Sequence, residues 1–373
     1  MNIIKAIASP AKFLMQADAI KSLANHGQGF GKNAYLICDQ FIVDQIKEKA
    51  LVGFNGEFKA HLSIFGGQCS DREIEKHKAL AQQYDYIVGI GGGKTLDTAK
   101  ATAHYLNKPV IIVPTLASTD APCTAISVIY NDDDSFNRYV FLRANPNIVL
   151  ADTRILAEAP ARFFAAGVGD GLATYFEARA CYQSQKNNLI IGHDGKMLKP
   201  TLIGYTVAKT CYETIKKYAA QAIYAVREKV ITAALEHTIE ATIYMSAVGA
   251  ESAGCAAAHA IHNGMTAVHD LHAAQHGEKV IFGLLTQLVM EAVPREELLE
   301  VIEIAVAVGL PLTLEDLGLK EFKEDEWRKV AELACDPNDT IHNMPFTVTP
   351  ELVYDAILAT NAMLKNYQMT GRL

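Results

Sequence analysis

The stretch "YIVGIGGGKTLDTAK", Tyr86 to Lys100, is an apolar run that closes on consecutive glycines and passes with no spacer into a helical pattern. A Walker loop needs Gly, four residues, then Gly-Lys-Ser/Thr. Counting back from Gly93-Lys94-Thr95, the first glycine falls at position 88, which is Val88. The dinucleotide fingerprint Gly-x-Gly-x-x-Gly also fails against Gly89, Gly91, Gly92 and Gly93. What remains is a strand, a glycine turn and a helix, in which backbone N–H groups can approach an anion at the positive end of the helix, worth about 0.3–1 kcal/mol at an exposed site. A pyrophosphate fits such a turn, and so does a tight turn with no ligand. Asp39 closes the earlier run "AYLICD"; a carboxylate there can accept from the two hydroxyls of an adenosine ribose, or cap the following helix.

Working outward, short β-branched runs alternate with helical patterns from residue 33 to about 155. "NAYLIC", "FKAHLSIF", "YIVGI" and "PVIIVPT" read as strands, and "SDREIEKHKALAQQYD" and "KTLDTAKATAHYLN" as helices. This rhythm predicts an α/β domain with a parallel sheet. "AISVIY" and "RYVFL", flanking "NDDDSFN", predict an antiparallel hairpin appended to that sheet, with Asp132 to Asp134 at its tip; the spacing of a calcium loop is missing. Beyond "APAR", Ala159 to Arg162, long 3.6-residue periodicity takes over, as in "FFAAGVGDGLATYFEARACYQ" and "REKVITAALEHTIEATIYMSAV". The expected division is an α/β domain over residues 1–160 and an all-α domain over 161–373, with "GHDGKMLKP" as a polar loop between two helices.

The 373 residues suit about two domains of roughly 150 each. A net charge of −8 gives no reason to expect nucleic acid as a partner. Seven scattered cysteines, with no pair at two-residue spacing, read as reduced thiols in a cytoplasmic protein. No apolar run approaches the roughly 20 residues that span a bilayer, and the first residues lack a signal-peptide core.

Five of the twelve histidines fall within "HAIHNGMTAVHDLHAAQH": His259, His262, His269, His272 and His276. His259 sits on a helical pattern that ends at Asn263-Gly264, and His276 opens the next one. Two imidazoles from adjoining helix ends are a candidate pair of metal ligands; solvated loop histidines are the plainer reading. A third ligand would come from another helix. Asp170, an acid between two glycines in an apolar stretch, is the candidate, with a helix N-cap as the alternative.

Taken together and in order, "GIGGGKTLDTAK", "PTLASTDAPCTAISVIY", "GVGDGLATYFEARA", "AAHAIHNG", "HGEKVIFG" and "ACDPNDTIHNMP" resemble the glycerol dehydrogenases of the group-III, or iron-containing, alcohol dehydrogenase superfamily, over nearly the whole chain. The resemblance implies a dehydroquinate synthase-like fold: an NAD-binding α/β domain followed by a helical domain for metal and substrate. It implies Asp170, His259 and His276 as ligands of Zn2+ and Asp120 as the substrate-binding aspartate. For NAD it implies Asp39 at the ribose, Gly93, Lys94 and Asp97 at the pyrophosphate, and Thr115, Ser118, Thr124, Ile126 and Tyr130 on the nicotinamide side. His262, His269 and His272 are left as loop or supporting residues. Two departures stand out. Many iron-dependent relatives have a histidine four residues after the aspartate, where this chain has Thr174, which favours zinc. The 192–200 segment is also longer than the family's usual connection.

The implied activity is reversible, NAD-dependent oxidation of glycerol to dihydroxyacetone in the cytoplasm by a homo-oligomer, often an octamer, with zinc polarising the secondary hydroxyl for hydride transfer. The alternative within the superfamily is a dehydrogenase of another small diol or hydroxy-carbonyl compound. A dehydroquinate synthase or polyol-phosphate dehydrogenase would need basic residues for its substrate's anionic groups, and only Lys279 lies near the proposed ligands. A nucleotide-hydrolysing switch conflicts with Val88, and a zinc hydrolase leaves the glycine turn unexplained.

Overall fold

The computed structural model describes residues 3–131 and 135–373, so the Asp132–Asp134 tip lies outside the described residues. The chain forms two compact units. One comprises Ala8–Pro160 with Ala225–Ala247; the other comprises the leading segment through Ile7, Ala161–Tyr224 and Val248–Leu373. The chain passes from the first of these units to the second between Pro160 and Ala161, and the leading segment and Ala225–Ala247 cross to the opposite unit. The leading segment pairs with the helical unit because Lys5 bridges Lys199 and the Asn188 amide donates to the carbonyls of Ala6, Lys199 and Ser252. Ala225–Ala247 returns to the sheet unit, where the Tyr244 ring lies 5.0 Å from that of Phe13.

The sheet unit holds β1 (Lys12–Gln16), β2 (Asn33–Cys38), β3 (Lys59–Ile64), β4 (Tyr86–Gly91), β5 (Val110–Pro114), β6 (Ile126–Tyr130), β7 (Phe136–Phe141) and β8 (Ile148–Asp152). Six of these form one sheet in the order β1-β8-β5-β4-β2-β3, every pair parallel. The central runs are apolar throughout because both faces are covered, as a parallel sheet requires. Sequence periodicity missed the β1–β8 edge. The IVLAD run of β8 is short and lies among loop signals, and Asp152 at its end accepts from the amides of Asp18, Ile20 and Arg154.

The hairpin β6–β7 forms antiparallel as expected, but as a separate two-stranded sheet. Both edges of β5 are already taken, by β4 and β8, so the hairpin packs elsewhere. It is held to the helix Gly93–Leu106, where Ser127 Oγ donates to the Asp97 carbonyl and Val128 N to the Asp97 carboxylate.

The helical unit contains Ala161–Ser184, the helix Leu202–Arg227 as far as Tyr224, Ala257–Met265, His276–Met290, Arg295–Val308, Glu324–Ala334 and Pro350–Thr370. The helix expected through residues 227–248 is interrupted. Lys229 adopts positive φ, and Thr232 starts a new helix by accepting from Leu235 N. The 192–200 segment is a loop, with an isolated bridge between Ile191 and Met197. No helix among the described residues is long and apolar enough to cross a membrane.

Candidate metal centre and dinucleotide turn

Asp170 lies in the interior of the helix Ala161–Ser184, not at its N-cap, and is 1% exposed. A neighbouring helix is brought against it by glycines. A Cβ on Gly277 would stand 1.8 Å from the Ala166 carbonyl oxygen, and one on Gly169 would stand 2.5 Å from the Gly277 carbonyl oxygen. The helices therefore cross backbone on backbone. The residues beside those glycines, Asp170 and His276, meet as a result: His276 Nε2 is 3.1 Å from Asp170 Oδ1. From the helix Ala257–Met265, His259 Nε2 reaches the same oxygen at 3.3 Å. The three ligand atoms lie within 4.8 Å of one another.

The other nitrogen of each ring is also engaged. His259 Nδ1 lies 2.5 Å from Glu177 Oε2, and His276 Nδ1 lies 3.1 Å from His262 Nε2. With Nδ1 donating to Glu177, Nε2 of a neutral His259 is an acceptor facing a carboxylate oxygen. Two acceptors do not rest at that separation without a cation between them, whether a proton or a metal ion. A tetrahedral ion with bonds of about 2.0–2.1 Å would set its ligand atoms roughly 3.3 Å apart, close to the spacings found. The residues thus fit a divalent metal.

Charge in the cluster follows the same logic. Burial alone would raise the Asp170 carboxyl, but the two histidines hold it well below the usual carboxylate range. Burial would likewise lower His259, but the Glu177 carboxylate holds it well above the ordinary imidazole value. His262 is pushed down by burial and by its neighbour His276. His269 and His272 are exposed, with rings 5.1 Å apart, and do not join the cluster. Thr174 is buried one turn beyond Asp170 and brings no imidazole.

In the sheet unit the glycine turn joins β4 to the helix Gly93–Leu106, with Gly92 as N-cap and no side chain capping it. Gly92 itself brings no side-chain acceptor to the first amides of that helix. Gly91 must lack a side chain, because a Cβ there would lie 2.8 Å from Thr95 and 2.9 Å from Asp39. Asp39 follows β2 beside the turn, accepting from Phe41 N with one oxygen and from Thr95 Oγ1 with the other. Lys94 is exposed, its Nζ 5.1 Å from the centre of the Tyr130 ring, so two residues expected at the cofactor adjoin. Thr115 N donates to Gly91 O. Thr115, Ser118 and Thr124 are buried, while Asp120 and Ile126 are half-buried. A Cβ on Gly93 would lie 3.9 Å from Thr119 Oγ1, which places the Asp120 segment against the turn.

Asp97, expected at the pyrophosphate, is buried in the first turns of this helix. Its carboxylate turns inward, 2.9 Å from Lys100 Nζ and 3.0 Å from Val128 N. It braces the hairpin. Sequence reading also passed over Lys100, whose fully buried ammonium donates to the carbonyls of Ala121, Thr124 and Ile126. A lysine in a helical Thr-Ala-Lys-Ala-Thr run carries no mark of burial. The roles of Glu177 and Gln287 were hidden in the same way.

Comparison with known proteins places these features. Residues 10–153 match the family described as iron-containing alcohol dehydrogenase. The chain is 46% identical over 360 residues to a glycerol dehydrogenase of Escherichia coli, covering 96% of each chain. It is also 46% identical over 353 residues to one of Thermotoga maritima, covering 94% of this chain and 95% of that one. The crystal structure of glycerol dehydrogenase from Schizosaccharomyces pombe superimposes with a TM-score of 0.92 at 34% identity, covering 99% of this chain and 94% of that one. The fold and site define an oxidoreductase, and the family implies a nicotinamide cofactor and a metal ion. The chain belongs to the glycerol dehydrogenases within the iron-containing alcohol dehydrogenase family.

Proposed function

We propose that this enzyme catalyses the reversible oxidation of glycerol to dihydroxyacetone with NAD, using zinc held by Asp170, His259 and His276. The observation that carries the metal reading is the convergence of two Nε2 atoms on one buried Asp170 oxygen, with each Nδ1 engaged elsewhere. A mixed imidazole and carboxylate set with Thr174 in place of a further histidine favours zinc over iron. Bound at their sites, zinc supplies a Lewis acid that lowers the proton affinity of the substrate hydroxyl, and NAD supplies the hydride acceptor.

The chain's own residues do the rest. The amides that open the helix Gly93–Leu106, with the Lys94 ammonium, hold the cofactor's pyrophosphate. Asp39 binds the adenosine ribose, and Thr115, Ser118, Thr124, Ile126 and Tyr130 border the nicotinamide. Asp97 supports this site from behind. Asp120 accepts from polyol hydroxyls and orients the diol. The sheet unit is then the NAD-binding part, and the helical unit carries the metal. Seven free cysteines, six of them buried, agree with a reducing cytoplasm. Assembly as a homo-oligomer, on the octameric pattern, is checked by light scattering.

The direct test follows NADH formation from glycerol before chelation, after it, and after return of zinc or ferrous iron. No NADH from glycerol or any related small diol sinks the reading, and recovery with iron but not zinc refutes the metal assignment. His276→Ala should lose metal and turnover together while still binding NAD.

A further inference from the structure

The helix Ala257–Met265 starts without a cap of its own. Ala256 at its N-cap has φ −140° and ψ −118° and no side chain able to accept a hydrogen bond. Its four leading amides are nonetheless all satisfied, by two buried side chains from other helices. Glu177 Oε1 accepts from Ala256 N at 2.8 Å and from His259 N at 3.0 Å. Gln287 Oε1 accepts from Ala257 N at 3.1 Å and from Ala258 N at 3.0 Å. Both side chains are wholly buried.

The two caps have the same backbone task, and the amide of Gln287 shows that a neutral group suffices for it. Glu177 differs in one contact: its second oxygen lies 2.5 Å from His259 Nδ1. A carboxylate can only accept there, so Nδ1 carries the proton and Nε2 is turned to Asp170. Cys255 lies close enough to Glu177 and His259 for the three to be considered as a second metal set. The Glu177 oxygens are already filled by three N–H donors, however, and the positive end of a helix repels a cation.

We infer that Glu177 is the positioning residue that fixes His259 as the Nδ1–H tautomer and so presents Nε2 to the metal. The inference rests on the proposed metal site. Partners of this kind orient a ligating imidazole, and their loss typically costs 10–100-fold in metal affinity.

Glu177→Gln is the informative variant. Its amide oxygen can still cap Ala256 and His259, but its NH2 then faces Nδ1 and favours the tautomer protonated at Nε2. Zinc affinity, measured by competition with a chromophoric chelator, should fall by about 10–100-fold. The visible spectrum of the cobalt-loaded protein should change, and the melting temperature of the metal-free protein should move little. Gln287→Met removes the other two cap bonds, and the bond from its Nε2 to Glu291, without touching the ring. It should lower the metal-free melting temperature more than Glu177→Gln does, yet keep zinc affinity within about threefold. Wild-type zinc affinity in Glu177→Gln overturns the inference. So does a fall in affinity that tracks the loss of melting temperature alike in both variants, since Glu177 would then be only a cap. If the wild type binds no zinc, or Asp170→Asn leaves binding unchanged, the metal-site reading itself fails and the inference with it.

Discussion

Lys100 in the sheet unit and Glu177 in the helical unit meet the same need with opposite charge. Each is a fully buried ion that gathers backbone groups next to a proposed site residue. Lys100 collects the carbonyls of Ala121, Thr124 and Ile126, just past Asp120; Glu177 collects the amides of Ala256 and His259. They differ in how the charge is balanced. Lys100 has a carboxylate counter-ion, Asp97, one turn back on its own helix. Glu177 is balanced by a helix N-terminus and by the histidine it orients. In the sheet unit the buried ion therefore fixes a loop, whereas in the helical unit it also sets the chemical state of a ligand.

The largest expected effect tests the Lys100 side. Lys100→Met leaves three carbonyls without their donor and the Asp97 charge buried without its partner, so stability should fall by about 3–5 kcal/mol. Adding Asp97→Asn should recover part of that loss, since removing both charges costs less than orphaning one. Chemical denaturation of the single and double variants measures it. An unchanged midpoint for Lys100→Met would show that the sheet unit does not depend on its ion. The matching test in the helical unit is Gly277→Ala, which puts a methyl 1.8 Å from the Ala166 oxygen. A loss of at least about 3 kcal/mol is expected, with metal affinity falling as the helix crossing opens. A melting temperature within a degree or two of wild type would mean that the crossing is looser than its spacing implies.

The same contrast explains what was legible in the sequence. The glycine turn, the parallel sheet around it and the separation of α/β from helical character follow from periodicity and local breakers, which act over a few residues. Asp170 was conspicuous because a charge in an apolar helix is costly unless it is paired, and His259 and His276 because histidines rarely cluster. Glu177, Gln287 and Lys100 were invisible because the backbone groups they gather lie 21 to 82 residues away along the chain, and an exposed helix would use the same residue types. The contact of Asp97 with the hairpin was illegible for a related reason: proximity to the turn in sequence says nothing about which face of the helix a side chain takes. The β1–β8 edge was missed because a five-residue apolar run is too short for its period to decide.

A smaller effect sharpens the sheet side of the comparison. Asp39 is a carboxylate beside the turn that accepts from Phe41 N and Thr95 Oγ1. Asp39→Ala should raise the dissociation constant for NAD by roughly tenfold, about 1.4 kcal/mol, and narrow the preference for NAD over NADP, since a carboxylate repels a 2′-phosphate. Cofactor titration by fluorescence separates the two. Unchanged discrimination would assign Asp39 to the loop alone.

The smallest effect concerns a third buried charge arrangement, which serves neither proposed site. His77 is fully buried between the Tyr35 hydroxyl at Nδ1 and Glu73 Oε1 at Nε2, each 2.9 Å away, with Lys76 also on Glu73. Burial lowers the His77 imidazole below its ordinary value near 6.5, against the pull of Glu73. Between the lowered value and 6.5 the unfolded chain binds a proton that the folded chain refuses, so stability falls as pH drops below about 6.5. Glu73 is itself held below the ordinary carboxyl value; burial raises it, and its bonds to Lys76 and Gly66 N lower it further. Its contribution is lost only at still lower pH, as pH falls through that depressed value, which leaves the higher window to the histidine. His77→Gln, which can still donate and accept, should flatten the fall in stability below about pH 6.5 relative to wild type. Both proteins should be measured zinc-loaded, so that the histidines of the metal centre contribute equally. Parallel melting-temperature curves for the two would show that the acid sensitivity of the sheet unit lies elsewhere. A flattened curve would make His77 a buried group whose cost is set by solvation alone, unlike Lys100 and Glu177, whose charges are retained because the neighbouring loop or ligand depends on them.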